Sequence, residues 1–193
     1  MTSRDVRTLG VLFVALALAV GGGAVVGAGL TGAASPTDAA QNSIDSCTTI
    51  DQSGTYVLTK DIENGGKTPI SKSCITITAD DVTFDGDGHR IDGRGVSHTK
   101  AIAVKDAEGV TVENVEVNDW HAGLLVKQGS ATLQNVTTFS NAYGVRLEQP
   151  NDVRLENSNV SDNLVGVYTD NRSLTLDGTK FSENELKIQR DGG

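Results

Sequence analysis

Residues 110–177 read VTVENVEVNDWHAGLLVKQGSATLQNVTTFSNAYGVRLEQPNDVRLENSNVSDNLVGVYTDNRSLTLD, and the spacing inside this stretch decides the fold. One pattern returns in it: VTVENVEV from Val110, ATLQNVTT from Ala131, VRLENSNV from Val153 and LTLDGTKF from Leu174. An earlier copy, VTFDGDGH, starts at Val82, so the start-to-start spacings are 28, 21, 22 and 21. A second series follows thirteen residues behind: GLLV from Gly123, GVRL from Gly144 and GVYT from Gly166, spaced 21 and 22. AIAV at Ala101 is its expected first member.

Within each segment the pattern has period two, the mark of a strand. Val110 and Val112 point one way, Thr111 and Glu113 the other. Asn114 bends the chain, and Val115 and Val117 resume the inward set. The matching inward pairs are Ala131/Leu133, Val153/Leu155 and Leu174/Leu176, with Leu124/Val126, Val145/Leu147 and Val167/Thr169 from the second series. Fixed spacing with fixed phase is the signature of a repeat architecture. A coil of about 22 residues has room for three short strands and three bends, and none for a crossover helix. The expectation is therefore an all-β, right-handed, single-stranded parallel β-helix, each strand pairing with its copy one turn along. A β-sandwich also has many short strands, but it would not keep one register every turn.

Two asparagine columns support stacking. Asn114, Asn135 and Asn157 share one bend, and Asn141, Asn163 and Asn184 share another. Amides stacked at the coil spacing can donate to and accept from the next in the column. Residues 47–84 read as an amino-terminal cap and first coil, and residues 47–188 as the whole helix, followed by a tail at 189–193. The last coil is expected to be exposed, which would allow end-to-end self-association.

The amino end divides into a segment at 1–34 and a linker at 35–46. Arg4 and Arg7 precede an uncharged run whose most apolar part, Val11–Val20, has signal-peptide length. The span from Leu9 to Leu30 is also long enough to cross a bilayer if left uncut. Either way the domain is expected outside, secreted or at the cell surface, with any membrane contact made through this segment. Cys47 and Cys74 are the only cysteines, and in an exported domain such a pair reads as a disulfide.

The 193 residues carry a formal charge of −9, 4% aromatics, 22 glycines and 3 prolines. The core must be aliphatic and the bends many. The acidity repels phosphate backbones, so no nucleic-acid partner is expected. It suits proteins of salt-loving organisms as well as ordinary acidic secreted ones.

CTTIDQSGTYVLTKDI from Cys47, ITITADDVTFDGDGHRIDG from Ile75 and the repeats after them resemble secreted β-helix proteins of the NosD type. These belong to the superfamily of carbohydrate-binding proteins and sugar hydrolases. The resemblance implies a β-helix over roughly residues 47–188. Its members include polysaccharide-degrading enzymes, surface proteins and an accessory protein for copper assembly. No residues match a catalytic or copper set.

Five features are candidates for chemistry. Asp85, Asp87 and Asp92 form the densest acidic cluster, but His89 and Arg90 stand where a calcium loop needs other residues. Of the histidines, His89 and His98 share the long coil and are the pair placed to meet, while His121 comes more than a coil later. An outward row of Asp85, Glu113, Gln134, Glu156 and Asp177 reads as a solvated face rather than a catalytic pair. Asn159 and Asn171 are plausible glycosylation acceptors, whereas the third sequon, Asn135, belongs to a bend column. The best functional cluster is Asp119, Trp120 and His121 in one bend, Tyr143 one coil on, and Arg146 and Tyr168 beside Leu125 in an outward column. Rings beside a planar cation and a carboxylate suit sugar stacking and hydroxyl bonding; Trp120 as a core residue covering its bend is the competing reading.

The reading is thus an exported, non-catalytic scaffold that binds polysaccharide or a cell-surface glycan, with no metal or other cofactor. The alternatives are a small polysaccharide lyase or hydrolase, a structural or adhesive surface protein, and a NosD-like copper-assembly accessory.

Overall fold

The computed structural model describes residues 41–170 and 173–190. The apolar amino-terminal segment, the sequon at Asn171 and the last three residues lie outside them. Among the described residues the architecture is a right-handed parallel β-helix of three sheets, all strands parallel. The first sheet stacks Asn42–Ile44, Gly54–Leu58, Val82–Asp85, Val110–Glu113, Ser130–Gln134, Asp152–Glu156 and Leu174–Asp177. The second stacks Thr48–Ile50, Ser73–Ile77, Lys100–Lys105, Ala122–Lys127, Tyr143–Glu148, Val165–Thr169 and Leu186–Arg190. The third holds Arg90–Asp92, Glu116–Asn118, Thr137–Phe139, Asn159–Ser161 and Lys180–Ser182. Each turn runs from first sheet to third to second.

The register is the one the spacing implied. Val110 pairs with Ala131, Ala131 with Val153 and Val153 with Leu174. Their inward neighbours Val112, Leu133 and Leu155 are fully buried. In the last coil the column reaches the open end, where Leu176 is 39% and Leu186 51% exposed. Aliphatic burial of this kind contributes about 1.5–3 kcal/mol per side chain.

The helix begins earlier than the sequence suggested. Asn42–Ile44 falls in the stretch read as linker, yet it pairs in register with Tyr56–Leu58. Its alternation is too short to stand out from sequence alone. The extra length of the 28-residue coil is taken up mainly outside the sheets, in the turn at residues 86–89 and the loop at 93–99. Cys47 and Cys74 form a disulfide closing a loop of 27 residues at this end.

The buried bend explains the asparagines. Asn141 and Asn163 are 3% and 2% exposed. The Asn141 amide donates to Asn163 Oδ1 at 3.0 Å, and the Asn163 amide to Asn184 Oδ1 at 3.0 Å. Each amide also donates inward to a backbone carbonyl of the preceding coil: Asn141 to Val117, Asn163 to Thr138 and Asn184 to Val160. Buried polar groups are thereby satisfied along the axis. The other column is shallower: Asn135 is exposed, donating to Asn114 Oδ1 at 2.8 Å.

Trp120 belongs to the buried ladder. It stands 21 residues before Asn141, its backbone N–H donates to Asn141 Oδ1 at 2.9 Å, and its indole Nε1–H donates to the Ile91 carbonyl at 2.9 Å. Ile91 is the register partner of Val117, so the indole N–H does in this coil what the asparagine amide does in the next. At 3% exposure Trp120 is a core residue, which corrects its assignment to a sugar-stacking surface. The ring has room because two glycines face it: a Cβ at Gly65 or Gly93 would come within 3.0 Å of the indole.

Four outcomes follow from these contacts. Asn163→Ala should lower unfolding stability by about 3 kcal/mol in a urea titration, because it strands buried donors and acceptors. Asn135→Ala, on the exposed column, should cost under about 1 kcal/mol. Trp120→Ala should cost about 3–5 kcal/mol and Trp120→Phe clearly less, since the phenyl ring keeps the packing and loses one hydrogen bond. Replacing both cysteines by alanine should cost about 3 kcal/mol in the same titration.

Candidate functional site

The outward side of the second sheet collects the residues of interest. Its strands place side chains in columns running along the helix axis. One column carries Lys100, Ala122, Tyr143 and Val165. The next carries Ala103, Leu125, Arg146 and Tyr168. A third carries Lys105, Lys127 and Glu148. Ala103 and Leu125 are buried, so the longer side chains set the relief of this face.

Four of the expected residues meet here. The rings of His121 and Tyr143 lie edge to face at 5.5 Å, and those of Tyr143 and Tyr168 at 5.7 Å. The Arg146 guanidinium sits 5.0 Å from the Tyr143 ring centre and 5.3 Å from that of Tyr168. Its Nε donates to Glu148 Oε1 at 2.8 Å, which fixes the planar group between the rings. Lys127 approaches the other oxygen of Glu148 at 3.6 Å.

His98 joins this row rather than His89. The loop at residues 93–99 carries it over the next coil, where it stacks on His121 at 4.9 Å. His89 turns away to Asp61, with Nδ1 and Oδ1 2.9 Å apart. The backbone N–H of Arg90 and then His89 hold the Asp61 carboxyl below its usual range. Burial, followed by the charges of His98, Arg146 and Lys100, holds the His121 imidazole below its ordinary value. The neutral form is thus favoured in the fold, and acidification works against this packing.

Asp119 lies at the edge of the same region, exposed at a positive φ of 60°. It accepts from the Asn118 amide at 2.9 Å. It borders a groove of about 450 Å³ along the bend, lined also by Gly95, His121, Ser140, Asp162 and Leu164. Groove and sheet face meet at His121. Together they offer rings, a planar cation and carboxylates to a ligand rich in hydroxyl groups.

The remaining candidates fall elsewhere. Asp85 Oδ1 accepts from the Asp87 backbone N–H at 2.8 Å and the Asn114 amide at 3.0 Å, as in a turn closed by its own aspartate. Among the described residues no group of three or more acidic, histidine or cysteine side chains is disposed to hold a metal ion. The carboxylate row keeps the expected register, with Glu113 beside Asp85 and Asp177 beside Glu156. It lies on the first sheet, away from the rings. Asn159 is exposed on a strand of the third sheet.

Sequence reasoning missed the cationic part of this face. Lys105 and Lys127 share one offset in the second series, and that register was the available signal, whereas Lys100 shares its offset with Ala122 and Tyr143. Burial, then the neighbouring charge of Lys105, followed by those of Arg146 and Lys127, holds Lys100 below the ordinary lysine value, with Glu148 pulling the other way.

A family model described as a right handed beta helix region matches residues 100–191. The match begins at the strand that carries Lys100 and takes in the ring and cation face except His98. No curated protein and no solved structure gives a significant match to the chain. Three parallel sheets, one register and this match converge: the chain is a right-handed parallel β-helix protein.

Proposed function

We propose that this chain is an exported, non-catalytic scaffold that holds polysaccharide, in the extracellular space or at the cell surface, against the outward face of its second sheet. The observation that carries the reading is Arg146, held between Tyr143 and Tyr168 and oriented by Glu148. Sugar rings present C–H faces to aromatic rings and hydroxyl groups to planar donors, and this site offers both side by side. The groove at Asp119, Ser140 and Asp162 extends the same surface with acceptors for hydroxyl groups. Coils repeat about every 4.8 Å, so a ligand lying along the axis meets equivalent positions in succession. Export is supported by the apolar amino-terminal run, and the disulfide suits an oxidising compartment. The resemblance to carbohydrate-related β-helix proteins points the same way.

Binding to a panel of polysaccharides by calorimetry, paired with a reducing-end assay, tests this. Arg146→Ala and Tyr168→Ala should each weaken glycan binding by roughly tenfold, the loss of about 1–1.5 kcal/mol of stacking and cation–ring attraction. Unchanged affinity in both variants would remove this face from the function. The appearance of new reducing or unsaturated ends would replace the scaffold with an enzyme.

A further inference from the structure

The charge on this face is opposite to that of the protein as a whole. The chain carries −9, yet the second sheet holds Lys100, Arg146, and Lys105 with Lys127 in three of its columns, on three successive coils. Glu148 is the carboxylate among them, and it already contacts two of the four, Arg146 at 2.8 Å and Lys127 at 3.6 Å. His98 and His121 border the cluster and carry no negative charge in either protonation state. Among the described residues, three aspartates and a glutamate adjoin the strand ends: Asp51, Asp106, Asp170 and Glu185, with Asp51 and Glu185 exposed and on coils other than those of the four cations. Asp170 is turned to the bend, where it accepts the Gln149 backbone N–H at 2.8 Å, and Asp106 is an exposed bend residue. The acidic side chains of the first sheet, Asp85, Glu113, Glu156 and Asp177, form their own column on another side of the helix.

We infer that the polysaccharide held on this face is an acidic one, a chain bearing carboxylate or sulfate groups, with Lys100, Lys105 and Lys127 meeting its charges while Tyr143, Arg146 and Tyr168 meet its rings. The inference rests on the proposed function and narrows its ligand. Like charges brought this close cost energy unless an anion relieves them, and the structure gathers them on the one face that also carries stacked aromatics. Charge complementarity sets the sign of the occupant, and the rings set its class. Lysines on successive coils are spaced by about 4.8 Å, which suits one charge per residue of an extended chain rather than the denser phosphates of duplex DNA, about one per 1.7 Å. The acidity of the remaining surface adds to that discrimination.

The test uses the purified full chain and three probes of matched length: a polyuronate, a neutral glucan and duplex DNA. The polyuronate should bind about tenfold or more tighter than the glucan, and raising salt from about 0.05 M to about 0.5 M should remove most of that advantage by screening. The double substitution Lys105→Gln and Lys127→Gln should lower polyuronate affinity by roughly tenfold and glucan affinity much less, so that the preference for polyuronate shrinks. Glu113→Gln, on the first sheet, should change neither. Thermal melts of each variant confirm that the fold is intact. Equal affinity for polyuronate and glucan would overturn the acidic ligand while leaving polysaccharide binding in place. Failure of both glycans would overturn the two readings together. Tighter binding of DNA than of polyuronate would overturn the acidic polysaccharide in favour of another polyanion.

Discussion

Backbone hydrogen bonding from each coil to the next is the constraint on which the rest of this molecule depends. Once a strand pairs in parallel with its copy one turn along, every side chain stands on the equivalent side chain of the preceding turn. Inside, that leaves no freedom of shape. A residue at an inward position must fit directly beneath its successor, as Val110, Ala131, Val153 and Leu174 do, and these positions are aliphatic with a few buried threonines such as Thr138 and Thr169. A coil too long for the sheets must carry its surplus at a bend, and the surplus of the 28-residue coil goes mainly to residues 86–89 and 93–99.

The same constraint dictates how polar groups survive at a buried bend. An amide between two coils has a donor on one side and an acceptor on the other, so neighbours along the axis can satisfy it together with the carbonyl two residues back in its own coil. Asn141, Asn163 and Asn184 solve this with side-chain amides. Trp120 solves it at the amino-terminal end of the column with its indole N–H, and fills the wider space left there by Gly65 and Gly93. A Cβ at Gly144 would come within 2.7 Å of the Gly166 carbonyl, and one at Gly123 or Gly166 would meet the next coil's carbonyl at 2.8 and 2.7 Å, so these three glycines of the second series are required by close approach.

Outside the coil the constraint is permissive. The lattice of outward positions is as regular as the core, but any side chain can occupy it without disturbing the stacking. Function can therefore be written on one sheet while the others keep a different character. Here the second sheet carries rings and cations, and the first carries one column rich in carboxylates and another rich in threonines. Loops left out of the sheets add to the pattern, since residues 93–99 bring His98 onto His121 across a coil boundary.

The period of the sequence by itself determined the fold class, the register of the inward columns and the asparagine ladders, because each depends only on where the chain stands one turn later. The cysteine pairing followed from there being two cysteines in a chain expected to be exported. The period also placed Arg146 beside Tyr168, which share an outward column. Lateral relations between columns were decided by the tertiary structure. How sharply a bend turns, and which way its side chain faces, depends on the space its neighbours leave. That is why Trp120 went inward, why His98 met His121 and not His89, and why Lys100, Lys105 and Lys127 gathered around the rings. Residues of different offset become neighbours only when the bends have set the sheets side by side, and spacing along the chain does not encode that angle.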